Sequence, residues 1–451
     1  MIPMTFKETA QAVGSTTVLE GEYDSICTDT RKITSGCLFI AIKGDNFDGH
    51  SFAKQAVESG ASAVLCEKDC GLGDFQIVVE NTRTALLDLA GYYRSKFDIP
   101  VVGITGSVGK TTTKEMTHAV MSVKYNTLKN EGNLNNEIGV PLTLFRLEKC
   151  HEAAVIEMGM SGFGEISRMT EAVKPDVAII SNIGVSHIEK LGSREDILKA
   201  KLEILHGMKD SAPIILNGDD DMLVNAETGT HPVIYYGIKN VNSLFKAFDI
   251  TSKESETDMS VGFADGSDRV SLPFPGRHNV YNALAAVAVG SQFGIGVHEA
   301  LEALKGYVPA GMRQRINVKN GITFIEDCYN ASPDSQTAAL AVLAGFNAER
   351  TVAVIGDMLE LGSVSEQAHY GVGVKAAENG INAVFTYGER SLETARGAKE
   401  GGVEIVKSYS DKSELAKELL LYLKEGDAVL FKASRGMKLE DVIYSVYENL
   451  N

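Results

Sequence analysis

Five short runs rich in valine and isoleucine, "IPVVGI", "AAVIEM", "DVAIIS", "PIILN" and "PVIYY", recur between Ile99 and Tyr236, with amphipathic stretches between them. Strand-sized apolar runs alternating with helix-sized segments predict a mostly parallel sheet covered by helices. A second series, "ITFIED", "TVAVIGD", "NAVFTYG" and "DAVLFKAS", begins near Ile316. It covers about 135 residues, the size of one doubly wound unit. Before Ile99 the runs "CLFIAI", "SAVLC" and "FQIVV" are broken by glycine and polar residues, which predicts a small α/β domain. The chain of 451 residues is therefore read as an α/β protein of three domains, 1–98, 99–313 and 314–451. The second join is placed near "PAGMRQR", after the helix "VYNALAAVAVGSQF". "NTRTALLDLAGYYRSKF" predicts a helix with Leu86, Leu89, Ala90 and Tyr93 on its buried face. "TSKESETDMSVGFADGSDRV" predicts a hairpin or surface excursion of the middle domain.

Charge limits the partners. Lysine and arginine number 43 against 60 acidic residues, a net charge of −17. That disfavours nucleic acid and anionic membrane surfaces, while leaving room for a local basic pocket. No apolar run approaches the ~18 residues of a membrane helix, and "MIPMTFKETAQAV" lacks the pattern of a signal peptide. Cys27, Cys37, Cys66, Cys70, Cys150 and Cys328 have no metal-ligand spacing and are read as unlinked thiols. The expectation is a cytoplasmic monomer without nucleic-acid partners or membrane insertion.

"GITGSVGKTTTKEM", residues 103–116, follows the first strand run of the middle domain. The pattern G-x-x-x-x-G-K-[ST] asks for glycine where Ile104 stands, so the phosphate-loop match is close but shifted. Met116, Ala119, Val120 and Val123 fall on one helical face, which puts the glycine turn between a strand and a helix N-terminus. Unpaired N–H groups and the helix dipole favour an anion there. Gly106, Ser107, Val108, Gly109, Lys110, Thr111 and Thr112 are the expected nucleotide-binding residues. Lys110 would reach the terminal phosphates and the Thr111 hydroxyl would meet Mg²⁺. The plain alternative is a glycine turn with a solvated lysine.

Glu157 ends the run "EAAVIEMG" and is a candidate to hold the metal. His187 lies in "SNIGVSHIEKLGS", after the strand "DVAII", where open α/β sheets build their sites. "SREDILKAKLEILHGM" predicts a helix capped by Ser193, with Lys201 on the face of Ile197, Ile204, Leu205 and Met208. A lysine there either snorkels or is an amine of shifted pKa.

Taken in order, "TGSVGKTTTKEM", "NEGNLNNEIGVPLTL", "IEMGMSGFGEI", "SNIGVSHIEKLGS", "KAKLEI", "GRHNVYNALAA", "GMRQRI", "DCYNASPDS", "VIGDMLELG" and "KASRGMKLE" resemble the motifs of the Mur ligase superfamily. The resemblance runs from about residue 24 to residue 445. It implies a first domain for a UDP-sugar substrate, a central ATPase and a Rossmann-like third domain for an incoming dipeptide. The wording is most similar to members that join D-alanyl-D-alanine to UDP-N-acetylmuramoyl-tripeptide in peptidoglycan precursor synthesis. The implied enzyme is an ATP-dependent amide-bond ligase that works through an acyl phosphate, with ATP and two Mg²⁺.

The same resemblance implies roles residue by residue. Lys110, Glu157, His187, Lys201 and Arg313 are the implied catalytic set. Thr111 and Glu157 would hold the first Mg²⁺, and His187 the second, together with a carbamylated Lys201. Asn279 and Asn282 would lie at the adenine, Arg313 at the γ-phosphate and Asp327 against the nucleotide. Thr30, Arg31, Asp48, Gly49, His50, Asn135 and Asn136 would meet the UDP-sugar substrate. Asn330, Ser332, Lys432, Ser434 and Arg435 would meet the dipeptide. Plainer readings stand beside three of these: a surface charge for Arg313, a helix cap for Asn279 and an N-cap for Ser332. Val108 stands where many relatives have asparagine. Because backbone N–H groups do most of the cradling in such loops, little loss of ATP binding is expected. Other superfamily ligases, which add one amino acid or act on folate, are the near alternative, but the Asp-Asn-Pro-Arg segment of the diaminopimelate- or lysine-adding members is missing. A nucleotide-dependent switch is the alternative from another class.

Overall fold

The structure is a computed structural model, described here for residues 1–44, 47–309 and 311–450. Its central feature is a nine-stranded sheet. From one edge the order is Thr127–Lys129, Ala153–Glu157, Val101–Thr105, Val177–Ile180, Ile214–Asn217, Val233–Gly237, Phe245–Ser252, Thr257–Phe263 and Gly266–Leu272. The strands up to Phe245–Ser252 pair in parallel and the last two pair antiparallel. The polar excursion is thus a hairpin that extends this sheet.

The Val101–Thr105 strand is where the connections change direction. The chain leaves it for the Thr127 side and returns past it to Val177. Loops that leave neighbouring strands in opposite directions open a crevice at their carboxyl ends, and ligands bind in such crevices. All five residues of Val101–Thr105 are buried, as a strand covered on both faces requires.

The sheet after residue 314 has six strands, in the order Arg315–Lys319, Ile322–Glu326, Asp427–Lys432, Arg350–Gly356, Ala383–Tyr387 and Ile405–Tyr409. Only its first pair is antiparallel. Near the N-terminus, Ile26–Cys27, Leu38–Ile40, Ala63–Cys66 and Gln76–Val78 form a four-stranded parallel sheet. All six cysteines are free thiols.

The predicted helix at 81–97 spans Thr82–Arg94, and its buried face carries the expected Leu86, Leu89, Ala90 and Tyr93. Asn81 caps it by accepting from the N–H groups of Arg83 and Thr84. Gly91 lets it approach the Glu165–Val173 helix so closely that an added Cβ would lie 3.2 Å from Ala172 Cα. Tyr93 is fully buried beside Phe145, with ring centres 5.6 Å apart, and its hydroxyl donates to the Leu147 carbonyl at 2.6 Å. Burying such a side chain contributes about 1.5–3 kcal/mol. The apolar core therefore runs without a break from Leu38 and Ile40 of the first sheet to Ile156 and Ile180 of the central one.

Three details depart from the sequence reading. The helix after the glycine turn ends at Met121, so Val123 lies beyond it, 46% exposed, instead of sharing the face of Met116 and Val120. A further helix, Val297–Lys305, stands between the Arg277–Gln292 helix and the second join. The strands Thr127–Lys129 and Ile405–Tyr409 were not foreseen. No helix among the described residues is long and apolar enough to cross a membrane.

Candidate active site

The glycine turn leaves the central strand at its carboxyl end and opens the Lys110–Met121 helix. Ile104 sits inside the strand, fully buried, which explains its place in a shifted motif. Gly106 has φ 149° and an added Cβ would fall 2.0 Å from Ser181 Oγ. Gly109 has φ 83° and an added Cβ would fall 2.7 Å from Asn282 Oδ1. Both positions need glycine for backbone reasons and for close approach.

The donors of the loop are divided. Asn182 Oδ1 accepts from the Ser107 and Val108 N–H groups at 3.1 and 2.8 Å. Those two groups tie the loop to the segment after the next strand, and both residues line the cavity. The first helical bond runs from Thr113 N–H to the Gly109 carbonyl at 2.8 Å. The N–H groups of Lys110, Thr111 and Thr112 thus have no helical partner and are the donors offered to an anion. The Lys110 ammonium donates to the carbonyls of Gly106 and Ser107, at 2.7 and 3.2 Å. Burial pushes its pKa below the ordinary lysine range, Glu157 opposes that, and Arg313 adds to it.

Glu157 is 1% exposed at the end of the adjoining strand. Asn135 donates to its Oε1 at 2.7 Å. Oε2 has no hydrogen-bond partner among the described residues, and the buried Lys114 ammonium stands 3.8 Å away. Asn130 fixes the backbone here, accepting from Glu157 N–H at 2.7 Å and donating to its carbonyl at 3.1 Å. A buried carboxylate oxygen without a hydrogen-bond partner, lining the same cavity as Thr111 in the first turn of the Lys110–Met121 helix, suits Mg²⁺. That ion takes one or two protein oxygens and completes its shell with phosphate and water. No group of three or more His, Cys, Asp or Glu side chains among the described residues could hold a metal unaided.

On the other side of the loop, His187 stands before the short Ile188–Leu191 helix in a left-handed conformation, without a capping hydrogen bond from its side chain. Its Nδ1 lies 2.7 Å from Glu360 Oε2. The imidazole beside Glu360 holds that carboxyl below its ordinary range. Ser193 caps the Arg194–Leu202 helix, accepting from Asp196 N–H. Lys201 on that helix is 1% exposed, and burial, then the Lys110 charge, pushes its amine well below the lysine range.

The residues after the second join face the same space. Arg313 stacks on Tyr329, its guanidinium carbon 4.0 Å from the ring centre, and Arg435 approaches the same ring at 5.8 Å. Lys432 donates to Asp327 Oδ2 at 2.6 Å and to the Asn330 carbonyl at 3.2 Å. Ser434 Oγ accepts from Leu359 N–H at 3.0 Å. Ser332 caps the Pro333–Ala344 helix, so its N-cap role is real whatever else it does. Asn279 lies inside the Arg277–Gln292 helix and does not cap it. It donates to Gln314 in the linker at 2.8 Å, and Asn282 accepts from the Thr113 hydroxyl at 3.1 Å.

One cavity of about 670 Å³ joins these groups. Ser107 to Thr112, Asn135, Asn136, Glu157, His187, Asn279, Asn282 and Arg313 line it from the central side. Asp327, Asn330, Ser332, Lys432, Ser434 and Arg435 line it from the C-terminal side. Gly106 and Lys201 are not among its lining residues. The first-domain candidates stand apart. Arg31 is 86% exposed and held by Asp29 at 2.7 Å beside Thr30. His50 is buried, with Nδ1 2.5 Å from Asp48 and Nε2 accepting from Glu67 N–H at 2.8 Å. Gly49 packs on Ile42, where an added Cβ would lie 2.7 Å from its backbone. Asn130, Asn182, Tyr329 and Glu360 were not singled out from sequence. Asn182 had a signal, a polar side chain two residues after a strand, whereas the other three owe their places to tertiary contacts.

Fold and cavity define a P-loop nucleotide-binding α/β protein whose last domain closes over the phosphate cradle. Family models narrow that class: "Mur ligase family, catalytic domain" matches residues 22–94, "Mur ligase middle domain" 104–290 and "Mur ligase, glutamate ligase domain" 313–435. The chain belongs to the Mur ligase family. It is 40% identical over 468 residues to the UDP-N-acetylmuramoyl-tripeptide–D-alanyl-D-alanine ligase of Bacillus subtilis, covering 100% of this chain and 99% of the relative. Among solved structures it resembles MurF from Acinetobacter baumannii, with a TM-score of 0.92, 33% identity and 99% coverage of both chains. It also resembles the MurF ligase of Thermotoga maritima in complex with ADP, with a TM-score of 0.87, 29% identity and coverage of 94% and 97%.

Proposed function

We propose that the chain is an ATP-dependent ligase that joins D-alanyl-D-alanine to UDP-N-acetylmuramoyl-tripeptide, a step of peptidoglycan precursor synthesis. The observation that carries the chemistry is the single cavity in which Lys110 and Glu157 face Arg313, Asp327 and Lys432. The end-to-end likeness to a ligase of that name supports the substrates. Residues 1–98 take the UDP-sugar substrate, 99–313 bind ATP and 314–451 receive the dipeptide.

A carboxylate is a poor acyl donor because its leaving group would be oxide. Its oxygen attacks the γ-phosphorus of ATP, the bond to the bridging oxygen breaks and ADP departs. The dipeptide amine then adds to the acyl carbon, the carbon–oxygen bond to phosphate breaks, and the amine's proton is lost. This chain's part is positioning and charge neutralisation. Lys110 and the loop Gly106, Ser107, Val108, Gly109, with the free N–H groups of residues 110–112, hold the β- and γ-phosphates, and Arg313 meets the transferring group. Asn279 and Asn282 bound the adenine side, and Asp327 the far face of the nucleotide. Asn135 and Asn136 meet the sugar-nucleotide substrate, with Thr30, Arg31, Asp48, Gly49 and His50 on its distant end. Asn330, Ser332, Lys432, Ser434 and Arg435 orient the dipeptide.

Thr111 and Glu157 would hold one Mg²⁺, and His187 with carbamylated Lys201 a second. Bound cations supply neutralisation of phosphate oxygens. A neutral, buried Lys201 amine can add CO₂ with loss of a proton, which replaces a cation by an anion with two oxygens suited to Mg²⁺. The plain ammonium would repel the metal. Soluble, charged substrates suit a cytoplasmic enzyme, and a single chain supplies every group named, which suits a monomer.

The test is a mass-detected ligation assay that offers UDP-N-acetylmuramoyl-tripeptides with D-alanyl-D-alanine or with single amino acids. The dipeptide product is expected from the unaltered protein and none from folded Lys110→Ala. Product with single amino acids only, or full turnover by Lys110→Ala, sinks the reading. Phosphate release independent of both peptide substrates would point to a nucleotide switch instead.

A further inference from the structure

Arg313 stands at the second join, just before the Arg315–Lys319 strand, and the chain is anchored on both sides of it. Before it, the Met312 carbonyl accepts from Tyr329 N–H at 3.3 Å, and Cys328 Sγ donates to Met312 Sδ at 3.3 Å. After it, Gln314 has φ 56° and its side-chain oxygen accepts from Asn279 at 2.8 Å. These neighbours settle where the Arg313 side chain begins. They do not settle where its guanidinium ends, because a long unbranched side chain keeps its rotamer freedom until its far end is held.

The far end is held by the Tyr329 ring. The guanidinium carbon lies 4.0 Å from the ring centre, and both residues line the cavity together with Lys110. The other cations on this side are held differently: Lys432 pairs with Asp327 at 2.6 Å and Arg435 with Glu440 at 2.7 Å, whereas no acid pairs with Arg313 among the described residues. A carboxylate grips a guanidinium through its N–H donors and cancels its charge. An aromatic face grips it by its plane, so that the donors and the charge stay available to an anion.

We propose that Tyr329 is a positioning residue for transfer of the γ-phosphoryl group: its ring holds the Arg313 guanidinium in place with the N–H donors unspent. The inference rests on the reading above that Arg313 meets the transferring group. Tyr329 touches no reacting atom in this scheme. Arg435 approaches the same ring at 5.8 Å, but Glu440 holds it independently. Loss of the ring therefore falls on Arg313.

The experiment compares the full-length unaltered protein with Tyr329→Phe, Tyr329→Leu, Arg313→Ala and the double variant Tyr329→Leu with Arg313→Ala. Rapid-quench measurement of ADP formation in a single turnover reads phosphoryl transfer, with ATP, UDP-N-acetylmuramoyl-tripeptide and D-alanyl-D-alanine present. Calorimetry reads ADP affinity. Tyr329→Leu fills space without an aromatic face and is expected to slow transfer about 5- to 30-fold, the span of a partly desolvated contact of this kind. Tyr329→Phe keeps the face and is expected to stay within about twofold. Arg313→Ala is expected to slow transfer by about 10²–10³. In that background Tyr329→Leu is expected to cost less than about twofold more, since the group it positions is gone. ADP lacks the γ-phosphate, so its affinity is expected to be the same in every variant. Should Tyr329→Leu not fold, Tyr329→Met decides by the same measures. A folded variant without the ring that transfers at the unaltered rate overturns the proposal alone. So does a loss that persists in full in the Arg313→Ala background, or one matched by weaker ADP binding, since either marks a merely structural role. Arg313→Ala with the unaltered rate overturns the reading of Arg313 and the proposal with it. An unaltered protein that forms no ADP with these substrates overturns the ligase reading as well.

Discussion

Replacing Lys201 by methionine separates what this lysine does for the fold from what it does for the reaction. The side chain is 1% exposed, on the helix face that carries the buried Ile197 and Ile204. Burial and the Lys110 charge both act against its ammonium. An amine buried without a partner costs about 1–3 kcal/mol. Methionine has the same unbranched stem and fills irregular apolar space, so Lys201→Met leaves no large cavity. The variant is expected to be more stable by about 1–3 kcal/mol. At roughly 2–4 °C per kcal/mol for a domain of this size, the melting transition should rise by about 2–12 °C. The measurement is a thermal melt in bicarbonate-free buffer without nucleotide, so that the amine is unmodified in the reference protein. Ligation should fall by about 10²–10³, the usual loss when a group that stabilises developing charge is removed. A residue that weakens the fold yet is needed for turnover is kept for function. A lower melting temperature, or ligation within tenfold of the unaltered protein, refutes the argument.

Two further outcomes are expected. Gly106→Ala would force a Cβ to within 2.0 Å of Ser181 Oγ at φ 149°; ADP binding measured by calorimetry should weaken at least about tenfold, near 1.4 kcal/mol, and an unchanged dissociation constant counts against the loop geometry. Glu8, which forms a capping box with Thr5 and pairs with Lys96, is lowered from 4.5 to about 2, chiefly by Lys96. A depressed carboxyl stabilises the fold above its unfolded pKa and loses that contribution as pH falls through the folded one. Glu8→Gln should thus cost about 1 kcal/mol at pH 7, since the pair is partly solvated. The melting curves of the two proteins should converge near pH 2, and a difference that persists there contradicts the assignment.

What could be read in the sequence follows from where the information lies. Val101–Thr105 and Ala153–Glu157 were legible because strands buried on both faces are written as uninterrupted apolar runs. Ile405–Tyr409 is an edge strand with two exposed positions among five, and its mixed composition gives no such signal. Lys110 was legible because a glycine turn, a lysine and a helix start must stand together in the chain. Glu360 was not, because its meaning lies in a contact with a residue far away in sequence. Asn182 lies between these cases, visible as a strand-end asparagine but silent about the N–H groups it takes from the loop. The division of donors at the loop could come only from its geometry.

The apolar core shared by the first two sheets has a consequence for how the molecule can be taken apart. Tyr93 and Gly91 belong to one side of residue 98 by sequence, but their packing partners Phe145 and Ala172 belong to the other. Residue 98 is thus a seam in the covalent chain and not in the material of the protein. A graft that exchanged residues 1–98 for those of another family member would have to bring the matching faces of the 139–144 and 165–173 helices with it. An exchange of the C-terminal domain would instead have to keep smaller contacts, the packing of Val342 on Gly276 and the bond from Asn347 N–H to Glu254 at 3.1 Å among them.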